Sequence, residues 1–518
     1  MTRRIELLSV IFLSGAALAL ELPPVLGDRM VLQAETNVPV WGKAEPGTKV
    51  TVAFRGATVS GRADKDGAWL VDLKPMARDT LETKGTDLVI TAGSETKTFR
   101  DVLVGEVWLG AGQSNMHTPL NEYWNDPETK DLKEGKFPSL RLKSMGQLHE
   151  GQNWGWWAAT DWRNGAFSAQ LFGFGRRLQE HFTCPVGLIE AGSNGSPSGP
   201  FLSKEGFLAS DEIAAMVKKN PGLAKYADKV GWHWRRMIAP CVPFAVKGIY
   251  WDQGEGGTEM PEISQPVTMR ALIASWRKAW GRDLPWIYVQ KPSGGGCALD
   301  PSQPYAKGAA PVAELPEKVP ASDWNGGLRW DGYDIAKTKG VYLLVNSDLS
   351  SGIHPPIKSA YANRGYQIAL ANAYGEKVEW TGPTFKALKR KGSEIGLVFT
   401  HVGSGLAVPQ GAKLQGFAVA GADGKYLWAE AEIRGKGVVL TIPAGIEPKR
   451  VKYAMAWPNA WATLFNKEGF PALGFEASVD RLMRCSGRAL APTNLGSGRA
   501  QYVRKYADDF CVIMPMKD

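Results

Sequence analysis

The 518-residue chain is longer than one ordinary domain of roughly 150 residues, so its length predicts several domains. Its hydrophobic fraction of 44% and its charged fraction of 22% are close to globular averages, which excludes a disordered or fibrous chain. The formal net charge is +9, but the 61 basic and 52 acidic residues are dispersed, so we expect no nucleic-acid partner.

The first residues have the pattern of an export signal. Arg3 and Arg4 precede an apolar stretch over residues 7–20, which contains Ala17-Leu18-Ala19, a cleavage site of the A-x-A type. This pattern predicts a signal peptide over residues 1–19 and a mature protein that is secreted or periplasmic. A retained anchor is the alternative, but the stretch is short for a transmembrane helix, so we expect no stable membrane insertion.

Two regions have the alternation that is typical of antiparallel β-strands. Residues 20–104 contain short runs in which every second residue is apolar, separated by Gly, Pro and Asp-Gly turns. The same alternation returns over residues 376–480, for example in EIGLVFTHV. We therefore predict a β-sandwich-like domain in each region. Residues 481–518 have no clear period, and no role is predicted for this tail.

The region between them, residues 105–375, alternates apolar strands with amphipathic helices. Its strand-like runs include EVWLGAG, PVGLIEAG and FAVKGIYWDQG, and its helix-like runs include FSAQLFGFGRRLQEHF and MRALIASWRKAWG. Continuously apolar strands that alternate with helices are buried on both faces, so the pattern predicts an α/β domain with a parallel sheet.

Five cysteines are too few for a disulfide scaffold, and their odd number leaves at least one thiol unpaired. We expect Cys485 and Cys511 to pair because they flank a loop-rich tail, and Cys184, Cys241 and Cys297 to be buried. No CxxC or HExxH spacing and no cluster of His and Cys occurs in the sequence. We therefore expect neither a metal site nor a cofactor.

A short turn after the first strand of the predicted α/β domain carries the strongest candidate for chemistry. The strand residues 107–109 run into Gly110-Ala111-Gly112-Gln113-Ser114. A serine after small residues at the carboxyl end of this strand places its hydroxyl in the crevice where open α/β sheets bind ligands. Backbone N–H groups of such a turn can hold an oxyanion. The alternative is a serine that only caps the following helix.

The segments GEVWL at residues 105–109 and GQSNM at residues 112–116 resemble the nucleophile segment of the sialate O-acetylesterase-like family, a branch of the SGNH-type hydrolases. The resemblance spans most of the chain in matching order. Further matching segments are Phe167-Ser168-Ala169, Pro185-Val186-Gly187-Leu188-Ile189, Met237-Ile238-Ala239-Pro240, Lys247-Gly248, Gln253-Gly254-Glu255, Ile353-His354-Pro355, Trp380-Thr381-Gly382-Pro383, Gly405-Leu406, Gly416-Phe417, Ala420-Gly421-Ala422-Asp423 and Asn466-Lys467-Glu468-Gly469. The resemblance implies a three-layer SGNH-hydrolase-like α/β domain flanked by the two β-domains.

The resemblance also implies the chemistry. Ser114 would be the nucleophile, which attacks an acetyl ester and forms an acetyl-enzyme that water then hydrolyses. The backbone N–H groups of Ser114 and Gly195 and the side-chain amide of Gln253 would form the oxyanion hole. A plain turn glycine is the alternative for Gly195, and a buried amide that ties two loops together is the alternative for Gln253.

His354 would be the base that takes the serine proton, according to the same resemblance. Members of the family usually carry an Asp three residues before this His, where this chain has Ser351. Three interpretations of the missing acid stay open: Glu255, Asp348, or a Ser–His dyad in which a backbone carbonyl holds His354. Glu255 would alternatively be a structural carboxylate that accepts loop N–H bonds, and both roles can coexist.

The sequence specifies the substrate less clearly than it specifies the type of reaction. The family often has an aromatic residue, a second Gly and a Trp where this chain has Ser193, Asn194 and Phe201. His117 and Trp156 are our candidate substrate-binding residues, since an indole can stack on a sugar ring. Further aromatic candidates for stacking are Tyr123, Trp124, Trp154 and Trp157.

We therefore predict a serine carbohydrate O-acetylesterase whose substrate is sialic acid or a related acetylated glycan. One alternative is an esterase that acts on another acetylated polysaccharide, such as xylan. Another is a catalytically weakened carbohydrate-binding protein, which the missing acid at Ser351 suggests. The sequence leaves the oligomeric state open.

Overall fold

The computed structural model describes residues 19–146, 155–321 and 324–479, without the side chains of residues 324–326. Contacts divide the chain into two compact units. The first takes the described residues up to Ile287 together with Thr338–Tyr342, and the second takes Tyr288–Lys337 together with the described residues from Leu343. The predicted domain boundaries stay predictions.

The amino-terminal part of the first unit consists mainly of antiparallel strands, as the alternating sequence pattern predicted. β3 forms a hairpin with β4 through Arg55 and Gly56, both of which have positive φ, and β6 pairs with the other side of β3. β2 pairs with β5, and β1 runs parallel to β7. The strands are β1 (Val31–Gln33), β2 (Val38–Lys43), β3 (Lys49–Phe54), β4 (Ala57–Arg62), β5 (Ala68–Leu73), β6 (Thr86–Ala92) and β7 (Glu95–Gly112).

β7 is an 18-residue strand that serves two sheets. Its first residues pair antiparallel with β6, as Val89 does with Thr98, and its later residues pair parallel with β1, as Leu32 does with Val104. Its last eleven residues are continuously buried. The predicted boundary between residues 104 and 105 therefore lies inside one continuous strand.

The central sheet of the first unit is mostly parallel, and it contains the carboxyl-terminal half of β7. β7 lies between β10 and β11, both of which are buried along their whole length. Ile249 donates its N–H to the Pro285 carbonyl and Trp286 donates to Gly340, so the first residues of β12 and β13 extend the sheet. The order is β13-β12-β11-β7-β10-β8-β9. The added strands are β8 (Phe137–Ser144), β9 (Trp157–Ala159), β10 (Val186–Gly192), β11 (Gly248–Asp252), β12 (Trp286–Val289) and β13 (Val341–Leu344).

Helices pack on the sheet of the first unit at close range. A Cβ added to Gly175 of α3 would lie 2.5 Å from the end of the Leu188 side chain of β10, so a larger residue here would displace that side chain. Trp276 of α6 meets Trp251 of β11 edge to face, with ring centroids 6.0 Å apart. The α-helices of this unit are α1 (Ser114–His117), α2 (Thr129–Glu134), α3 (Ala169–Phe182), α4 (Lys204–Ala209), α5 (Asp211–Lys219) and α6 (Gln265–Trp280). Its short 3₁₀ segments are Leu120–Glu122, Trp162–Ala166, Gly199–Phe201, Pro221–Asp228 and Ala239–Cys241, and Trp234–Ile238 is a π-helix.

The second unit contains the ends of β12 and β13, two helices and an antiparallel β-region. Its two four-stranded sheets have the orders β14-β15-β20-β19 and β18-β17-β21-β23, and β16 pairs with β22. Residues of both sheets share one core, in which Ile395, Val419, Leu440 and Val451 are completely buried. The elements are α7 (Trp324–Ile335), α8 (Lys358–Ala373), β14 (Thr384–Lys391), β15 (Glu394–Thr400), β16 (Leu406–Ala407), β17 (Phe417–Ala420), β18 (Tyr426–Trp428), β19 (Glu430–Arg434), β20 (Gly437–Thr441), β21 (Arg450–Tyr453), β22 (Phe465–Asn466) and β23 (Phe475–Ser478), with a 3₁₀ segment at Pro304–Ala306.

Three cysteines are buried free thiols, as the sequence predicted. Burial raises the pKa of Cys184, Cys241 and Cys297 to about 12, so these thiols stay protonated. Residues 1–18 of the predicted signal peptide, Trp154, the tail at 481–518 and the expected Cys485–Cys511 pair lie outside the described residues. Within the described ranges, no helix has both the length and the apolar character needed to cross a membrane.

Candidate active site

The carboxyl end of β7 lies in very close contact with β11. Gly112 has φ of +136°, and a Cβ at this position would lie 2.2 Å from the Asp252 carbonyl oxygen, so only glycine fits here. The N–H of Gln113 donates to the Asp252 carbonyl at 2.9 Å, and Ser193 donates to the Gly112 carbonyl at 3.0 Å. The chain segments that follow β7, β10 and β11 therefore start from positions fixed by backbone contacts.

Ser114 is the first residue of the four-residue helix α1 and is 7% exposed. The N-cap is Gln113, which makes no side-chain capping bond, so Ser114 does not act as the cap that was the alternative interpretation. Both sequence neighbours of Ser114 hold the loop after β11. The Gln113 Oε1 accepts from the backbone N–H groups of Gly254, at 3.3 Å, and of Gly256, at 3.0 Å.

Glu255, our first candidate for the acid, is bound to this same segment. Its Oε1 accepts a hydrogen bond from the Asn115 Nδ2 at 3.0 Å. Glu255 therefore has a structural role, because it binds Asn115, the residue that follows Ser114. A catalytic role for its carboxylate stays a prediction, since the two roles are compatible.

Gly195 lies in the turn after β10, where it has φ of +67° and is exposed. Ser196 closes this turn by donating its N–H to the Ser193 carbonyl at 3.2 Å. The turn is also joined to the loop after β11, because Ser198 donates its N–H to the Gly257 carbonyl at 2.9 Å. The conformation fits the plain turn glycine that was the alternative, and it is compatible with an N–H donor. The oxyanion role of Gly195 stays a prediction.

The side chain of Gln253 is fully buried and is used inside the protein. Its Nε2 donates to the Gly257 carbonyl at 2.9 Å and to the Ser196 carbonyl at 3.4 Å, while its Oε1 accepts from the Gln265 Nε2 at 2.8 Å. Both amide hydrogens have acceptors in this structure, so Gln253 ties two loops together, as in the alternative interpretation. Its role as a third oxyanion donor stays a prediction.

Two predicted site residues belong to the second unit. His354 is exposed and lies four positions before the first residue of α8. Asp348 is buried, and its two oxygens accept from Arg364 at 2.8 Å and 2.5 Å. Burial raises the pKa of Asp348, while the positive charge of Arg364 acts to lower it. This buried ion pair occupies the carboxylate of our second acid candidate and gives Asp348 a structural role.

His117 is largely buried at the end of α1 and pairs with a buried acid. Its Nδ1 lies 3.0 Å from the Glu190 Oε1, and the same carboxylate accepts from Ser144 at 2.7 Å and from the Gly192 N–H at 2.6 Å. The charge of Glu190 raises the pKa of His117 in spite of burial. His117 therefore keeps a positive charge to higher pH than an ordinary histidine, and its role in binding substrate stays a prediction.

The aromatic candidates divide by exposure. Trp156 is 3% exposed, its Nε1 donates to the Val25 carbonyl at 2.7 Å, and its ring lies against Phe244. This burial and these contacts give Trp156 a structural role, and its role in binding substrate stays a prediction. Trp157 and Tyr123 are also buried, whereas Trp124 is 79% exposed.

Several residues of this region were not predicted from the sequence as site residues. Gln113 and Asn115 were quoted only as parts of a matching segment, yet they fix the loop that holds Glu255. Glu190 had a detectable signal, because it is a single carboxylate within an otherwise apolar strand. Among the described residues, no group of three or more His, Cys, Asp and Glu side chains could hold a metal ion.

Comparison with known proteins finds mammalian sialate O-acetylesterases and a bacterial carbohydrate acetylesterase of known structure. Human sialate O-acetylesterase is 27% identical over 423 residues, which cover 71% of this chain and 74% of that protein. The rat sialate O-acetylesterase is 25% identical over 451 residues, covering 72% and 78%. A crystal structure of a carbohydrate acetylesterase from Xanthomonas citri matches with a TM-score of 0.72 and 27% identity, over 89% of this chain and 99% of that one. No protein-family profile matches the chain.

The His117–Glu190 pair leads to a testable pH dependence. Because the folded-state pKa of His117 is raised, its stabilisation is fully present below the unfolded pKa of about 6.5 and is lost as pH rises through the folded-state pKa. We expect wild type to lose more free energy of unfolding over that rise than His117→Gln does, measured by urea denaturation at a series of pH values. The control is Glu190→Gln, which removes the cause and should flatten the same difference. Equal pH slopes for wild type and His117→Gln would contradict the assignment.

Proposed function

Because the chain is a carboxylic ester hydrolase similar to the sialate O-acetylesterases, we propose that it is a serine carbohydrate O-acetylesterase acting on sialic acid or a related acetylated glycan. The names of the mammalian relatives favour sialate esters, and the name of the Xanthomonas protein favours a carbohydrate ester in general. The α/β part of the chain would have the three-layer SGNH arrangement. No cofactor enters this proposal.

In the proposed mechanism Ser114 attacks the acetyl carbonyl, and the sugar hydroxyl leaves as the acetyl-enzyme forms. His354 takes the serine proton and returns it to the leaving oxygen, then repeats this transfer with the water that releases acetate. The assignment of His354 rests on the sequence segment Ile353-His354-Pro355. The backbone N–H groups of Ser114 and Gly195 would stabilise the negative charge that develops on the carbonyl oxygen in the transition state.

The observation that carries the proposal is the rigid presentation of Ser114. The serine begins a helix at the carboxyl end of a central parallel strand, which is where sheets of this class bind ligands. Its two neighbours, Gln113 and Asn115, hold the loop after β11 by side-chain hydrogen bonds. A nucleophile held on such a scaffold needs little reorganisation when the ester arrives, which is a condition for efficient attack.

The acid that assists the base is proposed to be Glu255, with a Ser–His dyad as the competing arrangement. Asp348 is the weaker candidate, because its carboxylate already neutralises the buried Arg364. A carboxylate near an imidazole fixes its tautomer and stabilises the imidazolium, so the choice matters for turnover.

We also propose that the protein is exported and cleaved near residue 19, from Arg3, Arg4 and the Ala17-Leu18-Ala19 site. Amino-terminal sequencing of the protein recovered outside the cytoplasm should begin near Leu20. Recovery of the intact amino terminus, still attached to membranes, is the outcome that would contradict export with cleavage.

The proposed reaction is tested by acetate release from 4-nitrophenyl acetate and from a panel of O-acetylated sialic acid and xylan substrates. We expect Ser114→Ala to lose at least about 10³-fold in turnover, because no other group can form the acetyl-enzyme. The best panel substrate would identify the glycan class. Ser114→Ala with wild-type activity would contradict the serine mechanism, and binding of the panel glycans without hydrolysis by wild type would favour a carbohydrate-binding protein.

The acid is tested by comparing Glu255→Gln with Asp348→Asn and with Asn115→Ala. We expect Glu255→Gln to lower kcat by more than about tenfold, and Asn115→Ala, which removes only the structural hydrogen bond, to lower it less. Asp348→Asn should lower the free energy of unfolding by about 3 kcal/mol, because it leaves Arg364 buried without a counter-charge, with kcat nearly unchanged. If kcat falls less than tenfold in Glu255→Gln, the dyad is the better description.

A further inference from the structure

A second serine–histidine contact lies in the first unit, in residues for which the proposed mechanism has no use. The Oγ of Ser196 is hydrogen-bonded to the Nε2 of His233, which precedes the π-helix Trp234–Ile238. Both residues are buried, at 5% and 2% exposure. The two are 37 positions apart in sequence, so the contact is made by the fold and not by local structure.

The ring of His233 is held between two aromatic side chains. The Trp232 ring centroid lies 3.5 Å away and the Phe201 centroid 4.6 Å away, the latter in a stacked arrangement. Among the described residues, the Nδ1 of His233 has no hydrogen-bond partner. The ring of His233 is therefore in contact with two aromatic rings, one of them stacked, and makes one hydrogen bond, to Ser196.

His233 is a neutral imidazole at ordinary pH. Burial lowers its pKa to about 4, and the positive charge of Arg236 acts in the same direction. A neutral ring with one bonded nitrogen is suited to holding a hydroxyl in place. It is poorly suited to serve as a general base near neutral pH, because such a base needs a pKa close to the working pH.

Ser196 is the last residue of the turn that presents Gly195, and each of its polar groups is used. Its N–H donates to the Ser193 carbonyl, its carbonyl accepts from the Gln253 Nε2 at 3.4 Å, and its hydroxyl binds His233. A Cβ at Gly256 would lie 2.9 Å from the Ser196 oxygen, so the loop after β11 also packs directly on this residue. Because Ser196 directly follows Gly195, any shift of Ser196 also moves the peptide bond that joins the two residues.

We propose that His233 is a positioning residue that fixes the Gly195 N–H for the oxyanion by holding the hydroxyl of Ser196. This inference rests on the proposed function and adds to it a residue that does not touch the substrate. Gly195 is exposed and no Cβ at its position would meet another atom within 4 Å, so its own contacts do little to fix it. One end of the turn is held by the hydrogen bond from the Ser193 N–H to the Gly112 carbonyl, and its buried end, Ser196, is held by the contact with His233.

The test separates hydrogen bonding from packing with two His233 variants. His233→Phe keeps a flat ring between Phe201 and Trp232 but loses the hydrogen bond, and we expect kcat for 4-nitrophenyl acetate to fall about tenfold or more with little change in KM. His233→Gln can place an amide group near the hydroxyl of Ser196, and we expect it to keep kcat within about threefold of wild type. The packing comparison is Trp232→Phe, which changes a ring contact of His233 and leaves the hydrogen bond, so we expect it to lower kcat less than His233→Phe does.

Ser196→Ala approaches the same contact from its other end and covers the case in which His233→Phe does not fold. We expect a similar loss of kcat, and a double variant Ser196→Ala/His233→Phe that is no worse than the poorer single variant, because both remove one contact. Multiplicative losses, an undiminished kcat in His233→Phe, or a failure of His233→Gln to restore turnover would each overturn the proposal.

Hydrogen exchange gives a measurement that does not depend on catalysis. Peptides covering residues 193–198 should exchange faster in His233→Phe and Ser196→Ala than in wild type, while peptides from α3 (Ala169–Phe182) should not change. Unchanged exchange in the turn overturns the positioning role even where the enzyme is active. Faster exchange in the turn, in a protein that hydrolyses no acetyl ester, supports the positioning and shows that the proposed function is what failed.

Discussion

The contact between Gly112 and the Asp252 carbonyl is the constraint on which the site of the first unit depends. Any side chain at Gly112 would force β7 and β11 apart, since a Cβ would lie 2.2 Å from that oxygen. Because the same short segment binds Ser193 on its other side, the loops after β7, β10 and β11 leave the sheet from fixed positions. The position of Ser114 is therefore set by the strand that it follows. A paired strand is stiffer than a loop of comparable length.

Buried amide side chains then join these loops. Gln113, Asn115, Gln253 and Gln265 each contribute a donor or an acceptor to another loop or side chain in this region. A neutral amide can offer both kinds of group without the desolvation penalty of a buried charge, so it suits a site from which protein atoms exclude much of the water. The arrangement also makes the site sensitive to substitution, because loss of one amide leaves a buried partner without its hydrogen bond.

The sequence predicted the parts of the structure that depend on local pattern. Alternation gave the antiparallel strands of both units, and continuously apolar runs gave the buried β10 and β11. It predicted Ser114 at a strand end for the same reason. It could not predict that Gln253 binds backbone carbonyls, because a glutamine in a sequence does not show whether its amide will bind a loop or a ligand. Nor could it predict that Trp156 is covered, since its hydrogen bond to Val25 joins residues 131 positions apart.

Ser193 and Phe201, two of the positions at which the sequence differs from the family that it resembles, fall within one neighbourhood of the first unit. Phe201 stacks on His233, and His233 binds Ser196, which closes the turn that begins at Ser193. Ser193, Ser196, His233 and Phe201 therefore form one connected support for the Gly195 turn, in which each residue contacts the next.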